Sequence, residues 1–289
     1  MAAISIQYQI KTFTDNLYQE VDASKYAQHL VFADNHIAIV ISDTSKKQVM
    51  QLALLFPVGK GVFELSYDEL KSSELLMNEI TKKYASKKVF ISNEACTLVP
   101  ESLLNIIETE AYYCLTQKMF DNSQVLDCKM NVLKTAALFN VKNELVKLIR
   151  FNMPMVDMIH SSLLFIKLIH QQHFPNPASK IHVHVHGHFI EIAVLDEQLK
   201  FYNTFAFGNE NDITYFILAV AKQMELNQDA EVLLYGEALL MNELQNLLKS
   251  YVKSVSFGIK SKSFTYPVSF HQFEEHQYLI ESSTLLCEL

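Results

Sequence analysis

Residues 182–196 read HVHVHGHFIEIAVLD and residues 29–43 read HLVFADNHIAIVISD, and the two stretches overlay without a gap. The overlay pairs His182 with His29, Ile190 with Ile37, Ile192 with Ile39 and Asp196 with Asp43. Each stretch holds two short runs rich in β-branched and aromatic residues on either side of a turn. The turn is Asp34-Asn35 in one and His186-Gly187-His188 in the other, so each stretch reads as a β-hairpin. Shortly afterwards FPVG, ending at Gly59, stands opposite FAFG, ending at Gly208.

The flanking sequence repeats as well. After the first hairpin come a strand in VMQLALLFPV (49–58), then a helix from Ser66, whose side chain and Glu69 form a capping box. A strand in KKVFIS (87–92) follows, and Pro100 opens a helix through ESLLNIIETEAYYCLTQK (101–118). A strand in VLKTAALFNV (132–141) leads to a helix in KNELVKLIRFN (142–152), a short extended run in PMVDMIHS (154–161) and a helix in SSLLFIKLIHQQHF (161–174). Pro175 and Pro177 end that helix. After the second hairpin come a strand in LKFYNTFAF (199–207), a helix from Glu210 to Leu226, a strand in EVLLYG (231–236) and a helix in EALLMNELQNLLKSY (237–251). A strand in VKSVSFG (252–258) and a last helix in EEHQYLIESSTLL (274–286) complete the chain. The first sixteen residues read as a flexible lead or an edge strand. Both halves thus give three strands, then helix, strand, helix, strand, helix, the mark of a duplicated domain, with a first unit at 1–176 and a second at 177–289.

Three consecutive strands followed by alternating helices and strands resemble the ribonuclease H-like domain, and two in tandem resemble the actin, sugar kinase and Hsp70 superfamily. The run from VLKTAALFNV to the histidine-rich strands is similar to the cytoplasmic actin-like proteins of type IV pilus and type II secretion assembly. TLVPESLL (97–104), NTF (203–205), DITYFILAV (212–220) and the final CEL (287–289) resemble a bacterial family known as a domain of unknown function. The resemblance implies an α/β protein of two ribonuclease H-like, actin-like ATPase domains, each a mixed five-stranded sheet flanked by helices.

The resemblance also says where a nucleotide would lie. Actin-like ATPases hold it between two phosphate loops, commonly Asp-x-Gly, and a Gly-Gly segment near the adenosine. Glycine admits backbone N–H groups to the phosphates, and carboxylates hold Mg²⁺ and orient the attacking water. Here the first loop, Ala33-Asp34-Asn35-His36, keeps a carboxylate and has no glycine. In the second, Val185-His186-Gly187-His188, Val185 stands where the acid belongs. The adenosine-side turn, Leu234-Tyr235-Gly236-Glu237-Ala238, has one glycine. The residues that would line such a site are Asp34, Asn35, His186, Gly187, His188, Gly236 and Glu237. Their types point away from hydrolysis and towards a non-catalytic binding or scaffold module with a protein partner and no cofactor. The alternative is a nucleotide-binding switch or weak ATPase that takes ATP with Mg²⁺. A leucine face at Leu239, Leu240, Leu244 and Leu247 could hold the partner or pack in the core.

The histidines suggest a second chemistry. Alternate residues of a strand share a face, so H-x-H brings two imidazoles within reach of one zinc. Four at that spacing cover about 20 Å at roughly 3.3 Å per residue, too far for a single ion. The expectation is a polar strand face and a wet turn without metal, the alternative a zinc held by His182 and His184. His29 and His36 suggest histidines on both walls of the cleft.

Composition excludes other classes. Thirty-two acidic against 24 basic side chains, with the lysines scattered, argue against a nucleic-acid backbone reader. No apolar run approaches the roughly 20 residues of a membrane helix, and MAAISIQYQIKTFTDN lacks the pattern of a signal peptide, so a cytoplasmic location is expected. Cys96, Cys114, Cys128 and Cys287 are far apart and are expected to be reduced and mostly buried. There is no P-loop, G-x-S-x-G elbow or H-E-x-x-H.

Overall fold

A computed structural model describes residues 6–104, 108–130, 133–173, 180–196, 198–226, 229–236 and 238–288. The chain begins with strands β1 (Tyr8–Thr14), β2 (Ala27–Ala33), β3 (Ile37–Asp43) and β4 (Gln48–Pro57), followed by helices α1 (Tyr67–Lys71) and α2 (Glu74–Thr81). Ser66 caps α1 as expected: its hydroxyl accepts from Glu69 N, while the Glu69 carboxylate accepts from Ser66 N and from Lys60. Strand β5 (Ser86–Ser92) follows, then β6 (Cys96–Pro100), α3 (Thr109–Tyr113), β7 (Ser123–Met130) and β8 (Thr135–Lys142). Helix α4 (Asn143–Asn152), strand β9 (Asp157–His160) and helix α5 (Ser161–His173) close the first half.

The first sheet runs β1-β4-β3-β2-β5-β9, antiparallel as far as β2 and parallel from β2 to β9. It has six strands where five are expected. The sixth is β1, whose mostly exposed, polar YQIKTFT lies along the free edge of β4. The sequence also places VLKTAALFNV in this sheet and makes 101–118 one helix, and the structure corrects both. Strand β8 belongs to a separate three-stranded sheet, β6-β8-β7, and the described part of 101–118 holds a 3-10 turn at Glu101–Leu103 and the short α3. This small layer has its own core of Ala95, Val99, Tyr113, Ala136 and Leu138.

The second half supplies β10 (Lys180–Val185), β11 (Phe189–Leu195), β12 (Leu199–Ala206), α6 (Glu210–Gln223), β13 (Glu231–Gly236), α7 (Ala238–Leu248) and β14 (Ser254–Phe257). Its sheet runs β12-β11-β10-β13-β14, the order of the first sheet without β1. The hairpin overlay holds in the ladders: Leu30 faces Ile39 and Val183 faces Ile192, at equivalent positions of the two repeats. The third strands slip by one, since Leu55 faces Ile37 while Phe205 faces Ile190, so FPVG and FAFG are not strictly equivalent.

Both faces of these strands are covered, and β2, β3 and β11 are therefore almost continuously apolar. On the first sheet Leu30, Phe32, Ile39 and Ile91 pack towards α1, α2 and α4, while Val31, Val40, Leu54 and Phe90 pack towards α5. On the second sheet Ile181, Val183, Ile192 and Leu234 pack under α6 and α7. Helix α5 is buried over Leu163–Ile169, apart from the half-buried Lys167, as a helix between two sheets must be. The last segment returns to this shared core. It carries α8 (Leu279–Ser283), and Phe264, Phe270, Leu279, Ile280, Leu285 and Leu286 pack with Val31, Ala38 and Val40 of the first sheet. Tyr278, in the left-handed region at φ 49°, starts α8 late, so the expected helix at 274–286 is shorter than its sequence suggests. Lys88 and Lys167 donate to the carbonyls of Cys287 and Leu286, satisfying acceptors that the helix end leaves open.

The four cysteines form no disulfide, but only Cys96 is buried; Cys114 is exposed because α3 sits at the surface. Of the leucine face on α7, Leu244 lies in the core; the side chains of Leu239 and Leu240 fall outside the described residues. Among the described residues no helix is long and apolar enough to cross a membrane.

Candidate functional site

Strands β2 and β10 end side by side, and their turns face each other across a cleft. Asp34, Asn35 and His36 form one wall; Val185, His186 and Gly187 form the other; Gly236, at the end of β13, closes one end. The structure therefore brings together most of the residues singled out above. Glu237 lies outside the described residues. His188 stands at the rim, and His182 points away into the core.

Glycine is required at one of these positions. Gly236 has φ +124°, and a Cβ there would lie 2.3 Å from the Val185 carbonyl oxygen. At Gly187 a Cβ would meet nothing nearer than Asn35 at 4.0 Å.

The charged groups are matched within the protein. His188 Nδ1 lies 3.2 Å from Asp34 Oδ2 and its Nε2 3.4 Å from Glu94 Oε2, joining the second turn to the first half of the chain. The hydrogen bonds to Asp34 and then Glu94 raise the His188 pKa to about 10. Asp34, the one carboxylate of the first loop, is thus engaged by an imidazolium. His36 Nε2 lies 2.8 Å from Glu281 Oε1 in α8, both side chains being buried. Burial alone would raise the Glu281 pKa, but the hydrogen bond from His36 and its charge outweigh this and the carboxyl is lowered. The segment before α8 is anchored by two bonds to the third turn: Gly236 N donates to His276 O, and His276 Nδ1 donates to Gly236 O, each at 2.9 Å. Tyr278, Leu279, Ile280 and Glu281 consequently line the cleft, which keeps about 50 Å³ of free space.

The histidine run follows the strand period only in part. His182 and His184 do share a face of β10, yet that face is buried against α5 and β13, and the expected polar, wet surface is absent there. His182 stacks on Tyr235, and His184 packs against Phe165. His184 and His186 converge instead on Glu191, which faces His184 across the β10–β11 ladder. His184 Nδ1 and His186 Nε2 each donate to Glu191 Oε1 at 2.9 Å, and the Tyr202 hydroxyl donates to Oε2 at 2.9 Å. Burial opposes ionisation of Glu191, but the two histidine hydrogen bonds prevail and its carboxyl is held far below the usual range. Burial, followed by His184, lowers the His186 pKa to about 4. His29, expected at the cleft, is buried beside Phe90 inside the first sheet; His36 alone of that pair reaches the cleft.

A second polar cluster lies deeper. Ser162 Oγ is 2.9 Å from His160 Nδ1, and His160 Nε2 is 3.1 Å from the Asn93 carbonyl. The order suggests a nucleophile, a base and an orienting group, but Ser162 and His160 are buried from any substrate, and burial lowers the His160 pKa to about 4. The neighbouring Cys96 thiol is pushed well up by burial, which excludes a ready thiolate. The cluster is a satisfied hydrogen-bond network that fixes the start of α5.

Sequence reading does not assign Glu94, Glu191, Glu281 or Tyr202 to the site. A lone acid within FIEIAVL, a strand covered on both faces, is a signal for Glu191, since a buried carboxylate needs partners. Glu281 has no local signal, lying 245 residues from His36.

Comparison with known proteins places these features in a family and a fold. A family model described as "Protein of unknown function (DUF3822)" matches residues 16–255. No curated protein matches the sequence. A crystal structure from Bacteroides thetaiotaomicron, of a protein with actin-like ATPase fold and unknown function, superposes with a TM-score of 0.77 at 18% identity, covering 84% of this chain and 94% of that one. A PilM–PilN type IV pilus biogenesis complex superposes with a TM-score of 0.55 at 10% identity, covering 90% and 98%. The chain has the actin-like ATPase fold, built on two mixed sheets of six and five strands and a small third sheet.

Proposed function

The chain belongs to the family described as Protein of unknown function (DUF3822), and on that premise we propose that it is a non-catalytic actin-like protein that serves as a protein-binding or scaffold module. Its interdomain cleft is held shut by its own last segment. The observation that carries this reading is the narrowness of the cleft: Tyr278 to Glu281 form part of its lining, Glu281 is bonded to His36, and only about 50 Å³ is free. Sites for small-molecule ligands typically enclose about 300–1,000 Å³. A nucleotide would have to displace a segment fixed to the first turn through Glu281 and His36 and to the third through His276 and Gly236. Hydrolysis has no support from the residues either, since Asp34 is engaged by His188 and Val185 cannot hold a metal. The likeness to a protein in the PilM–PilN complex agrees with a fold of this kind holding a second protein.

The other reading, a nucleotide-binding switch, draws on the meeting of Asp34, Gly187 and Gly236 at one cleft. It requires residues 276–286 to leave. A thermal-shift series with Mg²⁺ and ATP, ADP or a non-hydrolysable analogue separates the two. A ligand at a hundred times its dissociation constant contributes about 2.7 kcal/mol, so a switch shows a clear upward shift. The scaffold reading expects the same melting temperature with and without each nucleotide, and a reproducible nucleotide-dependent rise would overturn it.

A further inference from the structure

We propose that His184, His186 and Glu191 form a binding site for one zinc ion, with a cleft water as the fourth ligand. The inference is independent of the scaffold reading and rests on a different set of atoms. His184 Nδ1, His186 Nε2 and a Glu191 carboxylate oxygen all lie within 4.8 Å of one another. Two imidazoles and a carboxylate are a donor set suited to zinc, at bonds of about 2.0–2.2 Å. Tetrahedral bonds of that length put the donors about 3.3 Å apart. To admit the ion the two 2.9 Å contacts to Glu191 open by about half an ångström, and the two imidazole nitrogens, which lie within 4.8 Å of each other, close towards the tetrahedral spacing.

The surroundings are those of a metal site. His184 and Glu191 are cross-strand neighbours in the second sheet, and His186, in the turn, is braced against Phe189 with the rings stacked, so two donors stand on a rigid ladder and the third is held beside it. The Tyr202 hydroxyl holds the other oxygen of Glu191, orienting the carboxylate from behind. Glu191 is 1% exposed, and among the described residues its ion pairs are with histidine alone. A buried carboxylate without a lysine or arginine is costly, and a divalent cation compensates it. To bind the ion each imidazole gives up the proton it donates to Glu191 and carries one on its other ring nitrogen instead. The free space lined by His184 and His186 is enough for a water at the open coordination position.

The test uses the full-length, untagged protein, stripped with a chelator, dialysed and titrated with zinc chloride by calorimetry. Metal content is then measured by mass spectrometry. One zinc per chain at micromolar affinity or tighter is expected. His186→Gln should lower the affinity at least a hundredfold, and Tyr202→Phe about ten- to a hundredfold. Equal zinc binding by wild type and His186→Gln, or no binding by wild type, would overturn the proposal. Should His186→Gln fail to fold, Tyr202→Phe decides, because an unchanged affinity there would place any bound zinc elsewhere. Cobalt in place of zinc gives an independent readout: the visible absorption of a four-coordinate ion is expected in wild type, and its absence also counts against the site.

Discussion

Gly236→Ala is expected to lose about 3 kcal/mol or more of stability, from two sources that act together. A side chain at φ +124° strains the backbone by about 1–3 kcal/mol. The new Cβ would also lie 2.3 Å from the Val185 oxygen, in backbone that cannot turn aside, and overpacking of this kind costs about 1–3 kcal/mol. Gly236 pairs with Val185 in the β10–β13 ladder and holds His276 through both its N–H and its carbonyl, so relief of the clash loosens the second turn and the last segment together. Denaturant unfolding of the variant beside wild type measures the loss, and a chain of this size should melt roughly 6–12 °C lower. A loss below about 1 kcal/mol would mean that the turn relaxes in a way this packing does not allow.

Glu281→Ala is expected to cost about 3 kcal/mol, since removing one partner of a buried pair leaves the other desolvated and unmatched. Glu281→Gln keeps the shape and an acceptor for His36 Nε2–H, and should cost about half as much. The pairing of variants matters because truncation alone also leaves a cavity. If the two substitutions are equal in denaturant unfolding, the negative charge that both remove accounts for the loss, and the shape and hydrogen bond that Gln keeps contribute little. If Glu281→Ala is the more damaging by the expected margin, the shape and the hydrogen bond to His36 that Gln keeps are together what fasten the last segment across the cleft.

The duplication was legible because both hairpins share one register. A single shift of sequence maps Leu30 opposite Ile39 onto Val183 opposite Ile192, and period-2 burial on both sheet faces keeps these strands apolar. The sixth strand was harder to see: YQIKTFT is mostly exposed and shows little of the apolar pattern that marks a strand. The small sheet escaped for a related reason. Its strands carry the same residue types as the main ones, and the pairing of β6 with β8 spans residues 96–139, beyond the reach of periodicity. At the site, the two turns and Gly236 were legible from the repeat. The groups that decide its chemistry were not, because Glu281 reaches His36 only through the tertiary return of the chain, and Glu191 meets His184 only across a strand ladder. The histidine spacing likewise pointed to His182 with His184, whereas the turn swings His186 back and makes His184 and His186 the convergent pair.

Residues 276–286 are expected to form a fixed wall of the cleft. Hydrogen–deuterium exchange of the backbone amides in that segment, followed in the full-length protein with and without Mg²⁺ and ATP, tests it most directly. Amides such as Ser282, which donates to Tyr278 O at 2.9 Å, should exchange nearly as slowly as those of the central strands, and at the same rate when nucleotide is present. Rapid exchange through the segment, or its release on adding nucleotide, would mean that the segment is no fixed wall and that the cleft opens for a ligand.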